Sequence, residues 1–143
     1  MTYSWVIFAL LSAVFAALVA IFGKIGLQNV DTNTATAIRA IVMAIFLVTV
    51  IAIQGKLNNI DSIISNHKAI FYIVLSGIVG ALSWLFYFIA LKSAKVSQIV
   101  PIDRLSVVFA LILAFLILGE DISIKSGIGA ILVVIGGILI ALS

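Results

Sequence analysis

The chain has 143 residues, of which 65% are hydrophobic and only 9% charged, against the roughly 25% charged content of a soluble domain. So few charges cannot make a water-facing shell, and a chain this short cannot hide that much apolar surface within itself, because small proteins are mostly surface. The formal charge of +3 does not indicate nucleic acid as a partner, since the eight Lys and Arg residues stand singly between apolar runs, and the lack of cysteine removes disulfides, thiolate metal sites and thiol nucleophiles.

The solvent for this surface is therefore expected to be a lipid bilayer. Its hydrocarbon core, roughly 30 Å thick, is crossed by about 20 apolar residues, and only a helix satisfies every backbone N–H along the way. Five runs have that length, at about residues 3–27, 33–53, 69–91, 96–118 and 124–142. The expectation is an all-α integral membrane protein, a bundle of about five transmembrane helices in one domain over residues 1–143.

The first run follows Met1-Thr2-Tyr3-Ser4, which lacks the basic region of a secretory signal. Trp5 to Gly23 is also longer than a usual signal core, so we read it as a retained helix, although Ala16 and Ala17 imitate a cleavage site. Small residues recur along it every four positions, as Ala9, Ala13, Ala17 and as Ser12, Ala16, Ala20, and permit close helix approach. Asp31, Thr32 and Asn33 offer side-chain acceptors to cap the second helix. Between the second and third helices, Leu57, Ile60, Ile63 and Ile64 recur at helical spacing among polar residues, a pattern that fits either a short helix in the interface or a plain polar loop.

The third helix opens beside His67 and Lys68, read as ordinary residues of the membrane edge, and carries Ser76 and Gly80 at small-residue spacing. It ends in Trp84, Phe86, Tyr87 and Phe88. These rings suit an interfacial aromatic belt, and they also suit a cation–π site near the mouth of a solute pathway. Pro101 lies one turn into the fourth helix and frees a carbonyl there. Gly119 suits a left-handed turn ending that helix, Glu120 and Asp121 fall in the solvated turn after it, and Ser123 can cap the fifth. Gly127, Gly129, Gly136 and Gly137, with Ala141, leave the fifth helix bare on part of its surface, a candidate contact with another helix or another subunit.

Arg39, Asp103 and Arg104 are the charges placed inside spans. Each costs about 2.5 to 3.5 kcal/mol at mid-helix on insertion scales, so each requires a partner or a watery cavity. Arg39 and Asp103 lie at a similar depth, roughly 10 Å inward from helix starts on the same face, and can meet if the second and fourth helices touch. Asp103 and Arg104 are sequence neighbours, so they point about 100° apart and cannot readily satisfy each other. One reading is a structural polar clamp. The other is a pathway in which Arg39, Asp103 and Arg104 line a mid-membrane site, with Trp84 and Tyr87 near its mouth.

Alternating helices put Lys24, Lys92 and Lys95 on one membrane face and Lys56, Lys68 and Lys125 on the other. A balance of three against three leaves orientation unassigned and matches a chain that inserts both ways. Adding the embedded Arg39 and Arg104 would tilt the count to five against three. No paired histidines with a glutamate, glycine-rich phosphate loop or serine elbow is present, so neither enzyme chemistry nor a cofactor is expected.

Taken in order, Ala90-Leu91, Ser97, Pro101, Leu118-Gly119-Glu120, Gly127 or Gly129, and Gly136-Gly137 form a recognisable series. The stretch from Ala90 to Ala141 resembles the carboxyl half of an EamA domain of the drug/metabolite transporter superfamily. Lys24-Ile25-Gly26 and Arg39 fit the amino half, so the likeness covers essentially the whole chain. It implies a carrier of small metabolites or drugs in the cell membrane, working by alternating access. Most members join two such five-helix units in inverted orientation, and this chain has one. An odd number of spans puts the termini on opposite sides, so a second, upside-down copy would restore the inverted repeat. The expected partner is thus an antiparallel second copy, or an oppositely oriented paralogue. The first helix lacks the embedded glutamate of the small multidrug resistance exporters, which leaves Asp103 as the deep carboxylate. The competing expectation is a non-transporting assembly or regulatory subunit of a lipid-handling complex.

Overall fold

The computed structural model describes residues 4–143 as helices joined by short turns, with no strand among the described residues. In chain order they are α1 (Ser4–Gly26), α2 (Thr32–Ile53), α3 (Asn59–Ser65), α4 (His67–Ser93), α5 (Val96–Asp103), α6 (Ser106–Leu113) and α7 (Ile124–Ala141). α6 runs on into a π-helical turn, Ala114–Leu118. Five segments are long and apolar enough to cross a bilayer: α1, α2, α4, α7 and the composite Val96–Leu118. The all-helical, five-span architecture expected from hydropathy is therefore present. The expected start of the first helix at Tyr3 lies outside the described residues.

The ends of the helices follow their capping chemistry. Asp31 accepts hydrogen bonds from the Thr34 N–H at 2.7 Å and the Thr34 hydroxyl at 2.8 Å, so α2 begins at Thr32, one residue before its expected start. Ser123 accepts from the Ser126 N–H at 3.1 Å and starts α7. Gly119 closes the fourth span with φ +68° and ψ +24°, the left-handed conformation that costs glycine least. α4 is longer than the expected 69–91. Its first turn is held by the Asn66 side chain, which accepts from the Ala69 N–H at 3.1 Å, and both ends continue through polar residues that an apolar count leaves out. Of the two readings for residues 57–65, a short helix is present, over Asn59–Ser65.

The fourth span covers Val96–Leu118, the expected 96–118, but its helical bonding is not regular throughout. Pro101 has no N–H to give to Ser97, and a few residues later the bonding slips from the i−4 to the i−3 carbonyl. Leu105 bonds to Ile102 (2.9 Å), Val107 to Arg104 (3.1 Å) and Val108 to Leu105 (2.9 Å). The α-helical bonding is therefore interrupted at Arg104 and Leu105, where the chain tightens for one turn while both residues keep helical φ and ψ.

The helices group into two compact units, α1 with α5 to α7, and α2 to α4. In the first, α5 lies against α7 and α6 continues that contact. Gly137 is buried where a Cβ would stand 3.0 Å from the Pro101 carbonyl oxygen, and the Gln98 side chain donates to the Ala141 carbonyl at 3.4 Å. Gly137 and Ala141 thus pack within the chain. Lys24 joins the end of α1 to the turn before α5, its Nζ donating to the Ala94 carbonyl at 2.8 Å. In the second unit, Lys92 at the end of α4 donates to the Val30 carbonyl at 2.8 Å, just ahead of α2.

Apolar burial is slight. Among the described residues the buried apolar side chains are Ala20, Leu27, Phe88 and Leu91, while every span carries exposed large apolar side chains. Such a chain has no aqueous core to fold around, and lipid takes the place of water at its surface.

Candidate functional site

In the second unit, Arg39 sits seven residues after Thr32, roughly 10 Å along α2 at 1.5 Å per residue. On α4, Trp84 and Phe88 are four residues apart and Tyr87 lies between them, so the three rings share one side of that helix. Trp84 stacks on Phe88 at 5.6 Å and 29°. Tyr87 meets both edge-on, at 5.5 Å from Trp84 and 5.8 Å from Phe88.

The Arg39 guanidinium lies 3.6 Å above the centre of the Trp84 ring and 5.1 Å from that of Phe88. A separation of 3.6 Å leaves no room for an N–H pointing into the ring, so the guanidinium plane faces the indole. In a desolvated setting this contact contributes about 2 kcal/mol, close to the about 2.5 to 3.5 kcal/mol that a membrane-embedded charge costs. Trp84 lies nine residues from the end of α4, roughly 14 Å below it, and Phe88 is buried. These two rings cover a cation. Phe86, on the opposite side of α4, is exposed.

The same unit is fastened nearer the membrane edge. Besides its bond to Val30, Lys92 acts electrostatically on Asp31. The Asp31 carboxyl is held below its ordinary value, first by the Thr34 N–H, then by the Thr34 hydroxyl, with Lys92 a smaller cause.

In the first unit, Asp103 is the last residue of α5 and Arg104 the first beyond it, and both side chains are exposed. The Leu105 N–H bonds to Ile102 in place of Pro101, and the Pro101 carbonyl oxygen lies where a Cβ on Gly137 would stand only 3.0 Å away. The slip in bonding, the two charges and the contact of Pro101 with Gly137 thus fall within five residues of the fourth span. Of the residues proposed from sequence, Arg39, Trp84 and Tyr87 form one cluster, and Asp103 and Arg104 form another. Sequence reasoning passed over Phe88 as a partner of Arg39 and Gln98 as a link to α7. The four-residue spacing of Trp84 and Phe88 was the available signal for the first.

Comparison with known proteins places the chain. Residues 3–142 match the model of the EamA-like transporter family. An "uncharacterized transporter in cobO 3'region" of Sinorhizobium sp. is 35% identical over 141 residues, covering 99% of each chain. "Uncharacterized protein MJ1333.1" of Methanocaldococcus jannaschii is 27% identical over 138 residues, 96% of each. No solved structure matches. Five membrane-length helices and a family match over nearly every residue lead to one conclusion: this multi-pass membrane protein belongs to the EamA-like transporter family.

Proposed function

We propose that this chain is one half of a carrier for small metabolites or drugs in the plasma membrane, working by alternating access with an antiparallel second copy or an oppositely oriented paralogue. The observation that carries this reading is the interrupted fourth span. Its break falls at Asp103 and Arg104, whose side chains are exposed at a depth where lipid does not tolerate them. In carriers, broken helices and ionisable residues are found where water and solute enter, near the interface between inverted repeats. One five-span unit supplies a single repeat, and the balanced cations at its two faces suit insertion in either sense. Arg39 and Asp103 with Arg104 then line or support the pathway, and Trp84 and Tyr87 shape the Arg39 side of it. The protein is a carrier and not a catalyst.

Flux from proteoliposomes loaded with a panel of small metabolites, followed by mass spectrometry, tests this. The wild type should release particular solutes, and Asp103→Asn should stop release while the protein stays folded. If no solute moves, the chain is instead a non-transporting assembly or regulatory subunit. The lack of native cysteine lets a single cysteine at position 143 report sidedness. Labelling from both sides is expected, and a carboxyl terminus found wholly on one side would end the homodimer version.

A further inference from the structure

The Arg39 guanidinium has its flat face against Trp84 at 3.6 Å and Phe88 to one side at 5.1 Å. Rings take the face of a guanidinium and leave its edge, which carries the five N–H donors. Among the described residues no hydrogen bond joins that edge to a carbonyl, hydroxyl or carboxylate, although the Tyr87 phenol acts on the guanidinium electrostatically. Arg39 is half-buried, and among these residues no buried side-chain nitrogen is left without a partner, so its unpaired donors are the ones still open to solvent and to a ligand.

We propose that the edge of Arg39, held in orientation by Trp84 and Phe88, is a binding site for an oxyanion, the carboxylate or phosphate group of a solute. A planar fork of donors matches two oxygens of either group, an arrangement that an ammonium cannot reproduce. Stacking on Trp84 removes the rotamer freedom that a long side chain would otherwise lose on binding, so the site is preorganised. The positive charge and the neighbouring rings favour an anionic group borne on a small organic body. As a substrate class for the carrier this rests on the transport reading. As a binding site it stands on the α2–α4 geometry alone.

The full chain, carrying Trp5→Phe so that Trp84 is the one indole left, is placed in phosphatidylcholine nanodiscs and titrated with sodium succinate or inorganic phosphate. Sodium chloride of equal ionic strength is the control. A saturable change in Trp84 fluorescence with succinate or phosphate, absent with chloride, is expected. Arg39→Lys should weaken it at least tenfold and Arg39→Gln abolish it. No saturable response in the parent, or an equal response in Arg39→Gln, overturns the proposal. Because the first of these outcomes is read on the parent protein, misfolding of a variant does not protect the proposal. Including phosphatidylglycerol separates the sources. If it produces the change and competes with succinate, the oxyanion is a lipid headgroup, and if succinate binds undisturbed, it is a free solute. Saturable binding without flux of any anion would leave the site standing and remove the carrier reading. Flux without the fluorescence response would do the reverse.

Discussion

Gly137→Ala adds one methyl group where the Pro101 carbonyl oxygen lies 3.0 Å away, its carbon 3.6 Å and the proline Cβ 3.9 Å. The nearest atoms are backbone, so no rotamer change relieves the contact, and α5 and α7 must separate by a few tenths of an ångström. Overpacking of this kind costs about 1–3 kcal/mol. Alanine is also a better helix former than glycine, by roughly 1 kcal/mol, which would obscure the effect in a single variant. Gly136 supplies the correction. It neighbours Gly137 in the same helix, and a Cβ there meets nothing within 4 Å. The propensity gain is common to both substitutions and cancels in their difference, so Gly137→Ala should be less stable than Gly136→Ala by about 1–3 kcal/mol. Equilibrium unfolding of both variants in mixed micelles, read by circular dichroism, measures that difference. Equal stabilities would refute the claim that α5 and α7 meet through Gly137 and Pro101.

Asp31 has a depressed pKa, so its capping contribution is fully present above its ordinary value of 3.8 and is lost as pH falls through the lower, folded-state value. Thermal midpoints measured from pH 6 down to 2 should decline only below that ordinary value, and Asp31→Asn, which keeps a capping oxygen without titrating, should lessen the decline. Pro101→Ala returns an N–H to the Ser97 carbonyl and should raise stability by up to about 3 kcal/mol, with slower flux if the break is needed for solute passage. Unfolding midpoints and flux on the same preparation check both halves of this expectation. Trp84→Leu keeps an apolar side chain but removes the ring beneath Arg39, and should destabilise by about 1–2 kcal/mol, measured against Phe86→Leu on the exposed side of α4.

The five spans were legible because a bilayer demands an apolar length, and Val96–Leu118 or Ile124–Ala141 can be counted off the chain. Asp31, Ser123 and Gly119 were legible because capping is local chemistry, decided within a few residues. The break after Asp103 was not. Pro101 marks the turn at which the Ser97 carbonyl loses its bond, but the slip itself falls later, at Leu105, beside the contact of Pro101's own carbonyl with Gly137 on another helix. Nor could spacing say which of two adjacent glycines faces α5, since the answer is the rotation of α7 about its axis. The aromatic run had the same difficulty. Trp84, Tyr87 and Phe88 read equally as a belt or as a cover for a cation until the direction of Arg39 was known.

The two polar clusters have different energetic positions, and the difference bears on what the chain requires around it. Arg39 recovers much of its insertion cost within its own unit, from Trp84 and Phe88. Asp103 and Arg104 are exposed, and left against lipid they would together cost about 5–7 kcal/mol. That is comparable to the whole stability of a typical domain, about 5–15 kcal/mol, so lipid is not a tolerable neighbour for this break. Water in a pathway, or the polar surface of an oppositely inserted copy, would meet the requirement, and the proposed pair supplies both at once. On this view the contact of Pro101 with Gly137 fixes α5 against α7 just before the slip in helical bonding, and so fixes where Asp103 and Arg104 are presented to solute.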